Sequence, residues 1–139
     1  MKHLLFKKIE VYDWHLHVVM LDLDSDIEEV KEFVEDKLEL HKEDVSPIEN
    51  IKGMVDGGSH YYNLDERKSI ILLYPMTSRA RLCNILGHEM QHVVDRIMDY
   101  CGIDDLEARA YLAGHLAETV WPSFFTLSHG IALTIAKKD

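Results

Sequence analysis

The sequence lacks the features of secreted and membrane-spanning proteins. It has only two cysteines, Cys83 and Cys101, and they do not form a C-x-x-C pair, which predicts free thiols in a reducing compartment. The first residues, MKHLLFKKIEVYDWHLH, carry charges every few positions and so lack the apolar core of a signal peptide. No run approaches the roughly 20 apolar residues that cross a bilayer. We therefore expect a cytoplasmic protein without a membrane partner.

Positive charge is also scarce, since the formal net charge is −10. A chain of this charge repels a phosphate backbone, which argues against a nucleic-acid partner. The length of 139 residues suits one domain with its own core, and no repeat, low-complexity segment or Pro/Gly/Ser linker divides it. The sequence predicts a single domain over residues 1–139 and leaves its oligomeric state open.

Apolar residues recur with the periods of strands and helices. Four segments favour strands, as two pairs joined by short turns: 3–11, 14–21, 59–64 and 69–75. Three segments favour helices: 24–40, capped by Asp24 or Ser25; about 78–100, ended by Gly102; and about 104–120, broken by Pro122. The apolar C-terminal stretch 121–138 favours a further packed helix or a tail. Residues 41–57 favour a loop. The order predicts an α+β domain in which a short antiparallel or mixed sheet packs on a long helix.

The segment NILGHEMQHVVD contains His88-Glu89-Met90-Gln91-His92, an H-E-x-x-H motif. A random shuffle of this composition would contain the motif with a probability of roughly 0.05, so its helical context must carry the argument. On a helix, His88 and His92 stand one turn apart on the same face and can bind one zinc ion. Glu89 is turned about 100° from His88, where it can act as a general base beside the ion.

A helical wheel supports this context. The far side of the helix is a continuous apolar stripe, made of Leu86, Met90, Val93, Val94 and Ile97. The histidines lie on a polar strip with Asp95, which could orient a ligating histidine as an outer hydrogen-bond acceptor or be an ordinary solvated charge. The strip could also face solvent without any metal.

A catalytic zinc ion needs a third protein ligand. Glu107 at the start of the next helix is the leading candidate, and Asp95, His115 and His129 are the rivals. Glu107 shares a helical face with Tyr111, Gly114 and Glu118. The alternative for Glu107 is a capping box with Asp104, because D-x-x-E is also a helix-start pattern.

His88-Glu89-x-x-His92 together with Glu107 resembles the zincin metallopeptidases, and in particular the gluzincins in a minimal form similar to ImmA/IrrE-type proteins. The resemblance covers about residues 59–118 and implies one zincin-like metallopeptidase domain. It implies Zn²⁺ on His88, His92 and Glu107, with Glu89 as general base. It also implies a substrate peptide extended along the strand that borders the cleft, assigned to residues 69–74. Only 14 residues separate His92 from Glu107, which is shorter than in the larger gluzincins.

The predicted function is zinc-dependent hydrolysis of peptide bonds in a peptide or protein substrate. A helper for the oxyanion is needed, and its candidates are Tyr111, His115 and His129, with His60 and Tyr61 weaker. One alternative is a zinc-binding regulatory or interaction protein that keeps the zincin fold without catalysis. Another is a structural protein whose motif is a coincidence.

Overall fold

A computed structural model describes the backbone of residues 1–138, and the side chains of residue 1, residues 5–122 and residue 124. The strands are β1 (Lys2–Ile9), β2 (Trp14–Met20), β3 (Gly58–Asn63) and β4 (Lys68–Leu73). The helices are α1 (Ile27–Leu38), α2 (Lys42–Val45), α3 (Arg79–Cys101) and α4 (Leu106–Lys138), with 3₁₀ segments at Glu10–Tyr12 and Ser46–Ile51. The α+β prediction is confirmed. Residues 41–57 are not simply a loop, since they contain α2 and the second 3₁₀ segment.

The four strands form one mixed sheet in the order β1-β2-β4-β3. β1 pairs with β2 and β3 pairs with β4, both antiparallel, as the short turns between them predict. β2 and β4 pair in parallel across the 47 intervening residues, 21–67. β4 therefore lies between two strands, and β1 and β3 are the edges of the sheet.

Helices pack on both faces of the sheet. The side chains of β2 point alternately to one face and to the other. Leu16 and Val18 are fully buried against α3 and α4, in the cluster that also contains Trp14. Val19 and Leu21 pack on the opposite face against α1 and the 3₁₀ segment at 46–51. Because alternate side chains of a strand point to opposite faces, one apolar strand serves both layers.

α3 closely follows its predicted bounds. The Ser78 hydroxyl accepts a hydrogen bond from the backbone N–H of Arg81, and Gly102 ends the helix in the left-handed conformation at φ 67°. The predicted apolar stripe is buried: Leu86, Met90, Val93, Val94 and Ile97. The stripe holds the back of α3 against the sheet and leaves the H-E-x-x-H face outward. In α1 the cap is Asp26, which accepts from the N–H of Glu28, rather than Asp24 or Ser25.

α4 differs from its prediction, because Pro122 lies inside the helix and does not break it. A proline removes one backbone hydrogen bond, and its cost falls when packing on either side holds the helix. Val120 and Phe124 are both buried in the core, whereas Pro122 is exposed. Among the described residues, no helix combines the length and the apolar character needed to cross a membrane.

Candidate metal centre

His88 and His92 lie on the exposed face of α3, and their Nε2 atoms are 3.1 Å apart. Their ring centroids are 4.8 Å apart and their planes are inclined by 82°, so the two imidazoles converge edge to face. Two nitrogens bound to one tetrahedral zinc ion at the usual bond length stand about 3.3 Å apart. The pair therefore fits two of the ligand positions of such an ion.

Glu89 lies beside the pair but faces inward, and only 5% of it is exposed. Its Oε2 atom is buried and has no hydrogen-bond partner among the described residues. Burial raises the pKa of Glu89, and the charges of His88 and His92 oppose that shift. The carboxylate thus has a free oxygen next to the two histidines, as a general base at a metal-bound substrate would require.

β3 runs beside α3, and alternate residues of the strand, Gly58, His60 and Tyr62, lie against the helix. A β-carbon at Gly58 would stand 3.2 Å from Cγ of Glu89, so the strand and the helix are in close contact there. The ring of His60 is stacked on that of His92, with centroids 6.4 Å apart and planes inclined by 9°.

The strand assigned to the substrate, residues 69–74, must be corrected. β4 is paired on both sides, and β3 is the edge strand beside α3.

A buried hydrogen-bond chain holds His60. The indole Nε1 of Trp14 donates to Oγ of Ser69 at 3.0 Å, and this oxygen lies 2.9 Å from Nε2 of His60. Because the indole N–H can only donate, the Ser69 oxygen accepts from Trp14, and its own proton is available to Nε2 of His60. Burial lowers the pKa of His60 to about 3, and the charges of His92 and Arg96 add to the effect. His60 is therefore a neutral imidazole packed beside His92.

Glu107 is not brought to the histidine pair. It is exposed in the first turn of α4, and its N–H donates to the Asp105 carboxylate at 2.9 Å. Asp105 is thus the cap, and the alternative of a capping box between Asp104 and Glu107 finds no hydrogen bond among the described residues. Arg109, about 200° further round the helix, is the side chain that faces α3. Among the described side chains, no group of three or more His, Cys, Asp or Glu is placed to hold a metal ion.

Asp95 has hydrogen bonds to residues other than the histidines. Its Oδ1 accepts from Nη1 of Arg109 at 2.7 Å and from Nε2 of Gln91 at 3.1 Å. Nη2 of Arg109 also donates to Asp99 at 3.3 Å. The bond from Arg109 therefore joins α4 to α3, and Asp95 neither orients a histidine nor stands as a merely solvated charge, the two roles that the sequence left open. Arg109 had no signal of its own in the sequence, because its role depends on how the two helices pack.

The candidate oxyanion helpers also lie away from the pair. Tyr111 and His115 line a shallow depression on the outer face of α4, together with Glu107. Tyr61 packs against the core on the α1 side of the sheet. His129 lies outside the residues whose side chains are described. Of the candidates whose side chains are described, only His60 is near His92.

Comparisons with known proteins give no identification. No protein-family model, no curated protein and no solved structure matches this chain.

Proposed function

We propose that the protein is a zinc-dependent metallopeptidase with a zincin-like fold. The observation that carries the proposal is the approach of the two Nε2 atoms of His88 and His92 to 3.1 Å, with the unpartnered Oε2 of Glu89 beside them. Two convergent imidazoles are the part of a zinc site that an H-E-x-x-H helix supplies, and a free carboxylate oxygen is the part that moves protons.

Bound zinc would supply a water of near-neutral pKa and would polarise the scissile carbonyl. His88 and His92 would hold the ion through their Nε2 atoms. Glu89 would accept a proton at Oε2 and return it to the nitrogen of the leaving amine. Burial suits this role, because it raises the pKa of Glu89 and makes the carboxylate a better base than an exposed one.

The free edge of β3 suits an extended peptide. A groove of about 480 Å³ is lined by the consecutive residues 60–65 with Leu40 and Asp44. A peptide that pairs with an edge strand is held by main-chain hydrogen bonds and needs only pockets for alternate side chains. Since His60 on this strand is stacked on His92, a peptide at the edge would pass beside the histidine pair.

Glu107 is proposed as the third ligand, which requires the first turn of α4 to rotate from its present position. The test is zinc affinity, measured by competition with a chromogenic chelator. Glu107→Gln is expected to weaken binding at least tenfold, and Glu118→Gln is the matched control on the same exposed face of α4. Equal affinity of the two variants would exclude Glu107 and leave the histidine pair in place.

Zinc content and cleavage test the function itself. Metal analysis of the dialysed protein is expected to give one zinc per chain, and His92→Gln should lose it while His41→Gln, at an exposed histidine before α2, keeps it. Mass spectrometry of a digested peptide library should detect cleavage by the wild type and none by Glu89→Gln. The absence of stoichiometric zinc would exclude the proposal.

A zinc-binding protein without catalysis is the second candidate. The specific observation in its favour is the exposed position of Glu107, which leaves the described donor set at two histidines. Glu89→Gln separates the two functions. A biological effect that survives this substitution with zinc retained would favour the non-catalytic protein.

A further inference from the structure

Arg96 is a partly buried cation one helical turn after His92. Its Cζ lies 4.4 Å from the centroid of the Tyr62 ring, so the guanidinium covers that ring on the α3 side of β3. No carboxylate among the described residues forms an ion pair with Arg96. Arg109 on α4, by contrast, pairs with both Asp95 and Asp99. Partial burial of an unpaired charge is unfavourable, and a bound anion would offset that cost.

Arg96 does not lack an ion-pair partner because acidic residues are scarce. The chain has 25 Asp and Glu residues and a net charge of −10. Asp95 and Asp99 are the acids nearest in sequence on α3, and both bond to Arg109. His60, whose pKa the charge of Arg96 helps to lower, is an imidazole and offers no negative charge to it. The guanidinium N–H groups of Arg96 thus have no hydrogen-bond acceptor among the described residues.

The spacing along α3 relates Arg96 to the histidine pair. Four helical residues advance the chain by about 6 Å. An extended peptide advances by about 3.3 Å per residue. A peptide along the edge of β3 would therefore place its group one or two residues from the scissile bond near Arg96, if the bond itself lies at His92.

We propose that Arg96, whose guanidinium lies over the Tyr62 ring, is an anion-binding subsite that binds a substrate carboxylate one or two residues from the scissile bond. This inference rests on the proposed peptidase function and adds a preference for acidic substrates. Guanidinium and carboxylate match in a two-point fork, and the aromatic ring holds the fork in one orientation before binding. The carboxylate comes from an Asp or Glu side chain or from the peptide's C-terminus.

Binding to the inactive, zinc-loaded Glu89→Gln protein tests the inference without catalysis. The probes are acetylated eight-residue peptides of neutral residues in which one Glu or one Gln is moved along the chain, each with a free or an amidated C-terminus. If the subsite binds a side chain, calorimetry is expected to show one position at which the Glu peptide binds about tenfold more tightly than the Gln peptide. If it binds the C-terminus, the free carboxylate should bind about tenfold more tightly than the amide. Either gain is of the size expected for a charge-assisted hydrogen bond.

Variants of Arg96 then test whether this residue causes the preference for acidic peptides. Arg96→Gln is expected to abolish it, and Arg96→Lys to retain only part, because a lysine keeps the charge but not the fork. Arg79→Gln removes an exposed cation at the start of the same helix and should change nothing. Thermal unfolding confirms that each variant is folded.

Three results would overturn the inference: equal binding of acidic and neutral peptides, a preference that survives in Arg96→Gln, or no binding of any peptide at millimolar concentration. Each of them leaves the zinc content of the protein unchanged. A failure of the proposed function itself would instead show as a wild-type protein without zinc or without cleavage of the peptide library.

Discussion

Gly58 at the start of β3 lies against Glu89 of α3, and a β-carbon would fit there only if its neighbours moved by a few tenths of an ångström. A β-carbon there would stand 3.2 Å from Cγ of Glu89 and 3.0 Å from both Cγ2 of Ile85 and the carbonyl oxygen of Leu72. The edge strand thus approaches the motif helix at the residue that would act as base. This contact makes the burial of Glu89 depend on a glycine 31 positions earlier in the chain.

Gly58→Ala should therefore destabilise the protein. We expect the free energy of unfolding to fall by about 1–3 kcal/mol, because the added methyl group must push a strand carbonyl and two α3 side chains apart. Urea unfolding followed by circular dichroism measures the change. Gly87→Ala is the control, since it meets nothing within 4 Å, and in a helix it should stabilise by up to about 1 kcal/mol. Equal effects of the two substitutions would contradict the close contact at Gly58.

The bond between Trp14 and Ser69 should be measurable by a double-mutant cycle. Ser69 is fully buried, so Ser69→Ala leaves the indole N–H without an acceptor and should cost about 1–3 kcal/mol. After Trp14→Phe there is no donor to leave unpaired, and the further cost of Ser69→Ala should be smaller. Unfolding free energies of the four proteins give the coupling. Simple additivity would mean that the two side chains do not interact.

His60, which is hydrogen-bonded to Ser69, should make the free energy of unfolding depend on pH. His60 has a pKa of about 3 in the folded protein against an ordinary value of 6.5, so between these values the unfolded chain binds the extra proton. The stabilisation is complete above pH 6.5 and is lost as the pH falls towards 3, with a slope of at most about 1.4 kcal/mol per pH unit.

The measurement compares urea unfolding of the wild type and of His60→Gln from pH 7 to pH 4, with EDTA present. The stability difference between the two proteins should shrink, or reverse in favour of the variant, as the pH falls. His41→Gln, at an exposed position, should follow the wild-type curve. Parallel curves for the wild type and His60→Gln would show that His60 titrates normally in the folded protein.

Local patterns predicted most of the elements, and non-local packing determined the rest. The ends of α3 follow from Ser78 and Gly102, because caps act within one turn. The continuation of α4 through Pro122 depends on the burial of Phe124 in the distant core, which no local pattern reveals. The parallel pairing of β2 with β4 joins residues far apart in sequence and fixes β3 as the edge strand.

The same distinction applies to the candidate site. His88, Glu89 and His92 come together because helical spacing alone places them, and the sequence predicts their arrangement. The position of Glu107 depends on the rotation of α4, which buried Leu112 and the Arg109 ion pairs set. His60 is held beside His92 by a hydrogen bond to Ser69, which is itself bonded to Trp14. Ser69 and Trp14 lie 55 positions apart in the sequence.

Asp95→Asn should affect the joint between α3 and α4 more than it affects the metal. The shorter of the two Arg109 contacts goes to Asp95, at 2.7 Å against 3.3 Å for Asp99. Arg109 is partly buried, but both carboxylates are exposed enough for solvent to weaken the pairs. We expect Asp95→Asn to lower the free energy of unfolding by about 1 kcal/mol or less, and Asp99→Asn to lower it by a smaller amount.

Zinc affinity shows whether Asp95 pairs with Arg109 or instead orients a ligating histidine. It is measured by chelator competition on the same proteins. An acceptor that orients a ligating histidine typically contributes tenfold or more to metal affinity. Since Asp95 bonds to Arg109 and Gln91, Asp95→Asn and Asp99→Asn should both bind zinc within about threefold of the wild type, a margin well below that typical contribution. A tenfold loss in Asp95→Asn alone would show that the carboxylate turns from Arg109 to a histidine when the metal binds.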